Sequence, residues 1–414
     1  MVESNASGLL KGVLSGIRII EGSAYIAAPM GGMMLVQMGA EVIRFDPPHG
    51  GIDYGRWPLS ASGKSLYWHG LNKGKKSVCI DIRHPEGQEL LSAMVTAPGE
   101  GAGLLLTNFP LKGKMAYSQL QSQRQDVIIC QITGNYDATN AVDSTVNASI
   151  GIPFITGPSD HGRPVNHALP AWDLLTAAHA STAMLAALHH RQQSGKGQHI
   201  TLALSDVALS AVAGLGYVAE VQINGEDRQA KGNDIYGAFG RDFKTADGRR
   251  IMVVTMTARH WHALLQATGL AEAMGKLELA LSMNFSEEGD RFRARDAIAL
   301  LLEPWISSRN LSDIGPCFDQ YGVLWGPYQT FRQLVEEDKR CSTDNPLFAL
   351  LHQQDIGTYL MSGSPIAFSE PGRLPPTPAP RLGEHTDEVL SNILGLSAVE
   401  IGQLHDKKVI FTAQ

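Results

Sequence analysis

Only four cysteines occur in 414 residues, Cys79, Cys130, Cys317 and Cys341, and no two stand in a C-x-x-C spacing. Scattered single thiols suit reduced core positions; they exclude a disulfide framework or a structural zinc cluster as the organising element, so no metal is expected. No stretch approaches the roughly 18 apolar residues of a membrane helix. Met1 to Gly16 also lacks a basic segment followed by an unbroken apolar core. The expected compartment is the cytoplasm, with no membrane among the partners. Positive charge is not in excess either: the formal net charge is -7 and the pI is near 6.1, which argues against a nucleic-acid partner. An anionic ligand would have to be held by local cations.

Three nucleotide and hydrolase signatures are missing. After the first β-prone run the chain reads Glu21-Gly-Ser-Ala-Tyr-Ile-Ala-Ala-Pro29, with no G-x-G-x-x-G, so NAD is not expected. Neither a Walker A loop nor a G-x-S-x-G elbow occurs, which removes P-loop chemistry and the usual α/β-hydrolase nucleophile. Internal repeats and low-complexity blocks are absent as well.

What is present is an alternation of short apolar runs and helical patterns. Ile17 to Ile20 reads as a strand, Pro29 opens a helix to Met38 that Gly39 ends, and Glu41 to Phe45 is extended again. Ser77 to Asp81, a helix from Pro85 to about Thr96, Leu104 to Thr107 and Asp126 to Ile132 continue the pattern. This predicts an α/β fold with a Rossmann-like parallel sheet in a large domain over residues 1–221. From Asn233 the texture changes: Phe239 to Phe243, a turn at Ala246-Asp-Gly248, Arg250 to Thr255, then helices around Trp261 to Thr268 and Phe292 to Trp305. That predicts a smaller α+β domain over 222–340. The tail, 341–414, carries Pro365, Pro371, Pro375, Pro376, Pro378 and Pro380. It reads as an extended strap and a helix from about Thr386 that return to the large domain.

One carboxylate stands out. Asp173 opens a helix running to about Arg191 whose faces are nearly all alanine, leucine and methionine, so the helix is expected to be buried all round. A lone acid at that position is either a helix cap or a nucleophile.

The segments Gly39-Ala-Glu-Val-Ile-Arg-Phe-Asp46, Lys75-Lys-Ser-Val-Cys-Ile-Asp-Ile82, Thr107-Asn-Phe109, the Asp173 helix with Ser194-Gly-Lys-Gly-Gln198, and Leu382-Gly-Glu-His-Thr-Asp-Glu-Val-Leu390 together resemble the family III CoA transferases, in order and spacing across essentially the whole chain. Arg44-Phe-Asp-Pro47, Tyr54-Gly-Arg-Trp-Pro58, Val165-Asn-His-Ala-Leu-Pro-Ala-Trp-Asp173, Gly237-Ala-Phe-Gly-Arg-Asp-Phe243 and Cys341-Ser-Thr-Asp-Asn-Pro346 are similar to one branch of that family. This branch moves the coenzyme between the two carboxyl ends of one methyl-substituted C4 dicarboxylic acid.

The resemblance implies that Asp173 is the nucleophile and that the substrate is an acyl-CoA thioester. CoA would then be carried as substrate, with no permanently bound cofactor, by an interlocked homodimer. It further implies that Lys75, Lys76, Asn108, Phe109 and Lys114 contact CoA, although each lysine taken alone reads first as a solvated surface charge. Tyr25, Ile26 and Ala27 would line the acyl site and offer amide donors, the alternative being an ordinary βα loop. Where many relatives carry an arginine this chain has Pro47 and Pro48, leaving Arg44 or Arg56 for the adenosine-phosphate contact. Asn166, His167 and Arg241 are candidates for the free carboxylate, and Gly237-Ala-Phe-Gly240 for a cover over the site; a structural histidine and a plain turn are the alternatives.

Three rivals follow. An intermolecular transferase would use the same aspartate. A racemase of this fold would need a histidine where Val142 stands, and a non-catalytic acyl-CoA binding protein would tolerate loss of Asp173.

Overall fold

Runs of branched aliphatic residues four to six long, each followed by a helix, build the first sheet. Its strands are β1 (Arg18–Gly22), β2 (Glu41–Asp46), β3 (Lys76–Ile80), β4 (Leu104–Thr107), β5 (Ile128–Thr133) and β6 (Gln198–Ala203). They pair in the order β3-β2-β1-β4-β5-β6, every pair parallel. The order reverses between β1 and β4, and in open sheets of this kind ligands bind at the carboxyl ends of the strands beside that reversal. β1 to β5 are buried nearly throughout, as helices on both faces of a parallel sheet require. One layer of core is Ile20, Ile43, Val78, Leu91, Val95, Leu105 and Ile129; the other is Ile19, Val42, Leu104, Leu106, Ile128, Met184 and Leu188.

The computed structural model describes residues 12–160 and 162–413. They divide into a first unit, of residues up to 150, 168–224 and from 339 onward, and a second unit of 151–167 and 225–338. The excursion of 151–167 into the second unit leaves no mark in residue composition. In the second unit β7 (Phe239–Lys244), β8 (Arg250–Thr255) and β9 (Leu324–Pro327) form an antiparallel sheet in the order β7-β8-β9. It packs with helices around Phe239, Phe243, Val253, Trp261, Phe285, Leu302 and Phe318. The helical run expected over Phe292 to Trp305 is two helices, Glu288–Arg293 and Arg295–Ser307, broken at Ala294. Arg291, fully buried, ties that break to the sheet by donating to the carbonyls of Phe285, Ser286, Thr255 and Met256.

The C-terminal region returns to the first unit, as its proline content predicts. It begins with a hairpin of β10 (Phe348–Gln353) and β11 (Gly357–Ser362) that the sequence pattern does not show; its tight turn places Asp355 as well as Gly357 at positive φ. The strap then lies against the chain before β3. Gly74 N–H donates to Pro378 O (3.0 Å), Gln353 and Ala379 exchange two hydrogen bonds of 2.9 Å, and Gly383 N–H donates to Ser77 Oγ (2.9 Å). A last strand, β12 (Ile410–Phe411), pairs antiparallel with β3 and covers its outer edge.

Helix Ala171–Ser194 differs from the expectation of all-round burial. Thr176, Ala177, Ala180, Ser181, Met184, Ala187, Leu188 and Arg191 form one buried stripe, while His179, Thr182, Ala186, His189 and His190 face outward. Alanine fits either environment, so its abundance did not identify the buried face. Among the described residues no single helix is long and apolar enough to cross a membrane. Cys79 and Cys130 lie buried in β3 and β5, where burial pushes both thiols up to about 12.

Thr386, fully buried, anchors this closure: its Oγ1 accepts Cys79 N–H (3.0 Å) and lies 2.7 Å from Phe411 O and 2.9 Å from Gly383 O. Thr386→Val keeps the shape but strands the Cys79 amide. Urea unfolding should show a loss of about 1–3 kcal/mol.

Candidate active site

β1 ends in Gly22, and the chain turns through Ser23, Ala24 and Tyr25 into helix Ala27–Val36. Two side-chain brackets hold this turn. Asn108, just past β4, accepts Ala24 N–H (3.0 Å) and donates to Ala24 O (2.8 Å). Asp53 accepts Tyr25 N–H at 3.0 Å, with Tyr25 at φ 65. A Cβ-bearing residue enters that left-handed region only where its surroundings hold it there.

Helix Ala27–Val36 packs on helix Ala171–Ser194 through small residues. A Cβ on Gly31 would lie 3.3 Å from Ala177 O, and Ser181 Oγ is within 3.1 Å of Gly31 O. Because Gly31 meets Ala177 and Met34 meets Ser181, the two helices run in the same direction. Their N-termini therefore lie at one end, the carboxyl edge of the sheet, and both helix dipoles favour negative charge there.

Asp173 stands in the first turn of the second of these helices. Pro170 holds the N-cap position and caps nothing; instead Asp143 Oδ2 accepts the N–H groups of Trp172 (2.9 Å) and Asp173 (3.2 Å). The capping role open to Asp173 on sequence grounds thus falls to Asp143. Among the described residues the Asp173 carboxylate takes no hydrogen bond. Burial, then the Asp143 charge, push its pKa up to about 6, with Arg56 opposing.

Arg56 brings positive charge to this site. Its guanidinium lies 5.3 Å from the Tyr25 ring centroid and 5.4 Å from that of Tyr67. The Tyr67 hydroxyl is buried without a hydrogen-bond partner among the described residues. Burial, against Arg56 and with Asp173, pushes its pKa up to about 12, so it stays a proton donor. A free donor thus sits within electrostatic reach of a free carboxylate, yet the two are not bonded to each other.

Beneath the turn lies a buried ionic network. Arg44 binds Asp46 (2.9 Å) and Asp53 (3.1 Å), and Lys75 binds Glu21 (2.7 Å). Asn72 Oδ1 accepts from both cations, and Trp68 lies 5.5 Å from Arg44. Burial, partly offset by Glu21, brings Lys75 down to about 8. Buried charges hold only when so paired.

The residues singled out by sequence therefore separate. Asp173, Tyr25, Ile26, Ala27 and Asn108 gather at the two helix starts, with the Tyr25 amide taken by Asp53. Phe109 follows Asn108 and packs on the core. Arg44 and Lys75 lie in the network, their charges already paired. Lys76 is half-buried between Glu41 (2.9 Å) and Glu388 (2.8 Å), and Lys114 pairs with Glu89 at the surface. Asn166, His167, Gly237 and Arg241 belong to the second unit, where Arg241 is bound by Asp234 and Asp296. Tyr67, Asp53 and the capping role of Asp143 are not legible in the sequence: an acid or tyrosine in a loop carries no periodic signal.

The sequence profile of CoA-transferase family III matches residues 14–386. The chain is 53% identical over 402 residues to 2-methylfumaryl-CoA isomerase of Chloroflexus aurantiacus, covering 97% of this chain and 98% of that protein. It is 28% identical to the succinyl-CoA–D-citramalate CoA-transferase of the same organism, covering 96% and 98%. A crystal structure of a CAIB/BAIF family protein from Brucella suis superposes with a TM-score of 0.75 at 24% identity, over 92% of this chain and 100% of that one; this likeness concerns the fold.

Asp173→Asn tests the burial of that carboxylate without reference to activity. As pH rises from about 4 to about 6, folded wild type keeps the Asp173 proton longer than the unfolded chain, so on this account its stability falls. The asparagine variant should show no gain at pH 4 and a gain of about 1–3 kcal/mol above pH 6.5 in urea unfolding.

Proposed function

The chain belongs to CoA-transferase family III, and on that footing we infer that it catalyses an intramolecular CoA transfer, isomerising 2-methylfumaryl-CoA by moving the thioester from C1 to C4. Likeness over 97% of the chain to an isomerase of that name supports the substrate. The observation that carries the mechanism is the uncommitted Asp173 carboxylate at the reversal point of the sheet.

Asp173 attacks the thioester carbonyl and the C–S bond breaks, giving a mixed anhydride and the CoA thiolate. The thiolate attacks the aspartyl carbonyl of the anhydride, releasing the diacid as a carboxylate and leaving CoA as a thioester on Asp173. The diacid turns, its other carboxylate attacks that thioester, and thiolate is expelled again. A final attack of thiolate on the C4 acyl carbonyl restores Asp173. No proton or electron is consumed overall, and CoA enters and leaves as part of the substrate without a permanent cofactor. Methylfumarate must not escape between the halves, so the site has to exclude water and free acids while it turns.

Roles follow from the groups left free. The Tyr67 hydroxyl and the Ile26 and Ala27 amides face the oxyanion that develops on the acyl oxygen. Arg56 attracts the carboxylate of the bound diacid and keeps Asp173 ionised. Lys114, whose surface ion pair is worth only about 0–1 kcal/mol, and the half-buried Lys76 exchange their carboxylates for CoA phosphates, with Asn108 and Phe109 lining the path. Arg44 and Lys75 act from beneath by holding the turn.

We further assign the protein to the cytoplasm, where CoA thioesters are made and used, as a homodimer. Leu209 on helix Leu204–Gly214, Leu215 in the break after it, and Val218, Val221 and Ile223 on helix Tyr217–Asn224 stand 41–83% exposed, an apolar surface that a second copy would cover. Sedimentation should find a dimer, weakened by Leu215→Asp with Ile223→Asp; an undisturbed wild-type monomer would sink the assignment.

Purified protein given 2-methylfumaryl-CoA alone should form the C4 thioester, followed by chromatography. Asp173→Ala should lower turnover by about 10³-fold or more. Incorporation of labelled free methylfumarate at the rate of turnover, or dependence on an added acid, would instead establish intermolecular transfer.

A further inference from the structure

Asp53 takes no part in the chemistry above, yet it is 1% exposed and joins the ionic network to the catalytic turn. Its Oδ1 lies 3.1 Å from Arg44 Nη2, and its Oδ2 accepts the Tyr25 amide at 3.0 Å. Its own carbonyl accepts the Arg56 N–H at 3.1 Å. One residue thus holds both the backbone of Tyr25 and the backbone of the arginine that lies over the Tyr25 ring.

The geometry points to Asp53 as a positioning residue that keeps Tyr25 in its left-handed conformation and so places Arg56 between Tyr25 and Tyr67, within electrostatic reach of Asp173. The assignment rests on Asp173 being the nucleophile. Three features support it. Tyrosine at φ 65 has a Cβ that disfavours that conformation, so the turn stays there only if its amide has an acceptor worth keeping. A buried carboxylate is a stronger acceptor than water or a neutral group. Arg44 fixes that carboxylate, since it is shared with Asp46 and lies over the Trp68 ring, so the acceptor does not swing away. Gly51 allows the arrangement: a Cβ there would lie 3.1 Å from Oδ1 of both Asp46 and Asp53.

When the acceptor is removed, Tyr25 relaxes, its ring leaves Arg56, and the guanidinium loses the place from which it acts on Asp173. Among the described residues, the groups that act electrostatically on the Asp173 carboxylate are Asp143, which raises its pKa, and Arg56, which lowers it, with the neutral Tyr67 hydroxyl within the same reach. Weakening the Arg56 influence alone must move the titration upward.

The test compares Asp53→Ala and Asp53→Asn with wild type by steady-state kinetics on 2-methylfumaryl-CoA from pH 5 to 8, with folding checked by circular dichroism and thermal melting. Asp53→Ala should lower kcat about tenfold or more while KM changes less than about threefold, and should move the acid limb of kcat/KM to higher pH. Asp53→Asn keeps an acceptor of the same shape and should fall between, with a smaller move of the limb. If Asp53→Ala does not fold, the asparagine variant decides. Folded Asp53 variants with kcat/KM within about twofold of wild type and an unmoved limb would overturn the assignment. Asp173→Asn, run beside them, separates the two readings: an active Asp173→Asn enzyme removes the nucleophile itself, whereas an inactive one beside normal Asp53 variants removes only the role of Asp53.

Discussion

A carboxylate can attack a carbonyl only while nothing else claims its lone pairs, and at the start of a helix the unpaired amides are strong claimants. In this fold Asp143 removes the competition. By accepting the first-turn N–H groups of Trp172 and Asp173 itself, it leaves the Asp173 side chain half-buried, unbonded and electrostatically raised. The capping acid thereby does two things: it satisfies the helix, and its charge adds to burial in making the Asp173 carboxylate more basic than a surface aspartate. Arg56 tempers the second effect, so that Asp173 is ionised near neutral pH without being neutralised by a contact ion pair.

The rest of the first unit serves to bring these groups to one edge. The parallel sheet delivers the turn after β1 and the chain after β4 side by side, and Asn108 joins them. Small residues at Gly31, Ala177 and Ser181 let two helices lie close enough that their starts share a crevice. The ionic network then works as a floor. Glu21, Asp46 and Asp53 outnumber Arg44 and Lys75 by one charge, and the Tyr25 amide supplies part of the balance. A buried network of this kind contributes less to net stability than to a single arrangement of the groups it joins, which is what a site with defined donor positions requires.

Much of the fold was legible because it rests on periodicity. Strands at Leu104 to Thr107 and helix Pro85 to Thr96 show in the aliphatic pattern and the proline start, and the proline-rich strap indicates its extended return. The hairpin Phe348–Ser362 was not legible, since its strands alternate weakly. The site was legible only where a motif carried it. Asp173, the Tyr25 turn and Asn108 could be named by resemblance. By contrast, Asp53 and Tyr67 act through contacts that arise when a loop of irregular sequence folds over the crevice, and Arg44 and Lys75 look in sequence like ligands for phosphate although the fold turns them inward. Charge type is written in the chain; the direction in which a charge points is decided by what packs around it.

The two thiols within the sheet have a further consequence. Methylfumarate is a conjugated alkene flanked by carbonyl groups, and a free thiolate adds readily to such a double bond. CoA itself passes through the thiolate state in this site, held where it meets carbonyl carbon. Cys79 and Cys130, by contrast, are buried and kept as neutral thiols far above physiological pH. Enclosing them in strands β3 and β5 shields these two thiols from alkylation by the substrate.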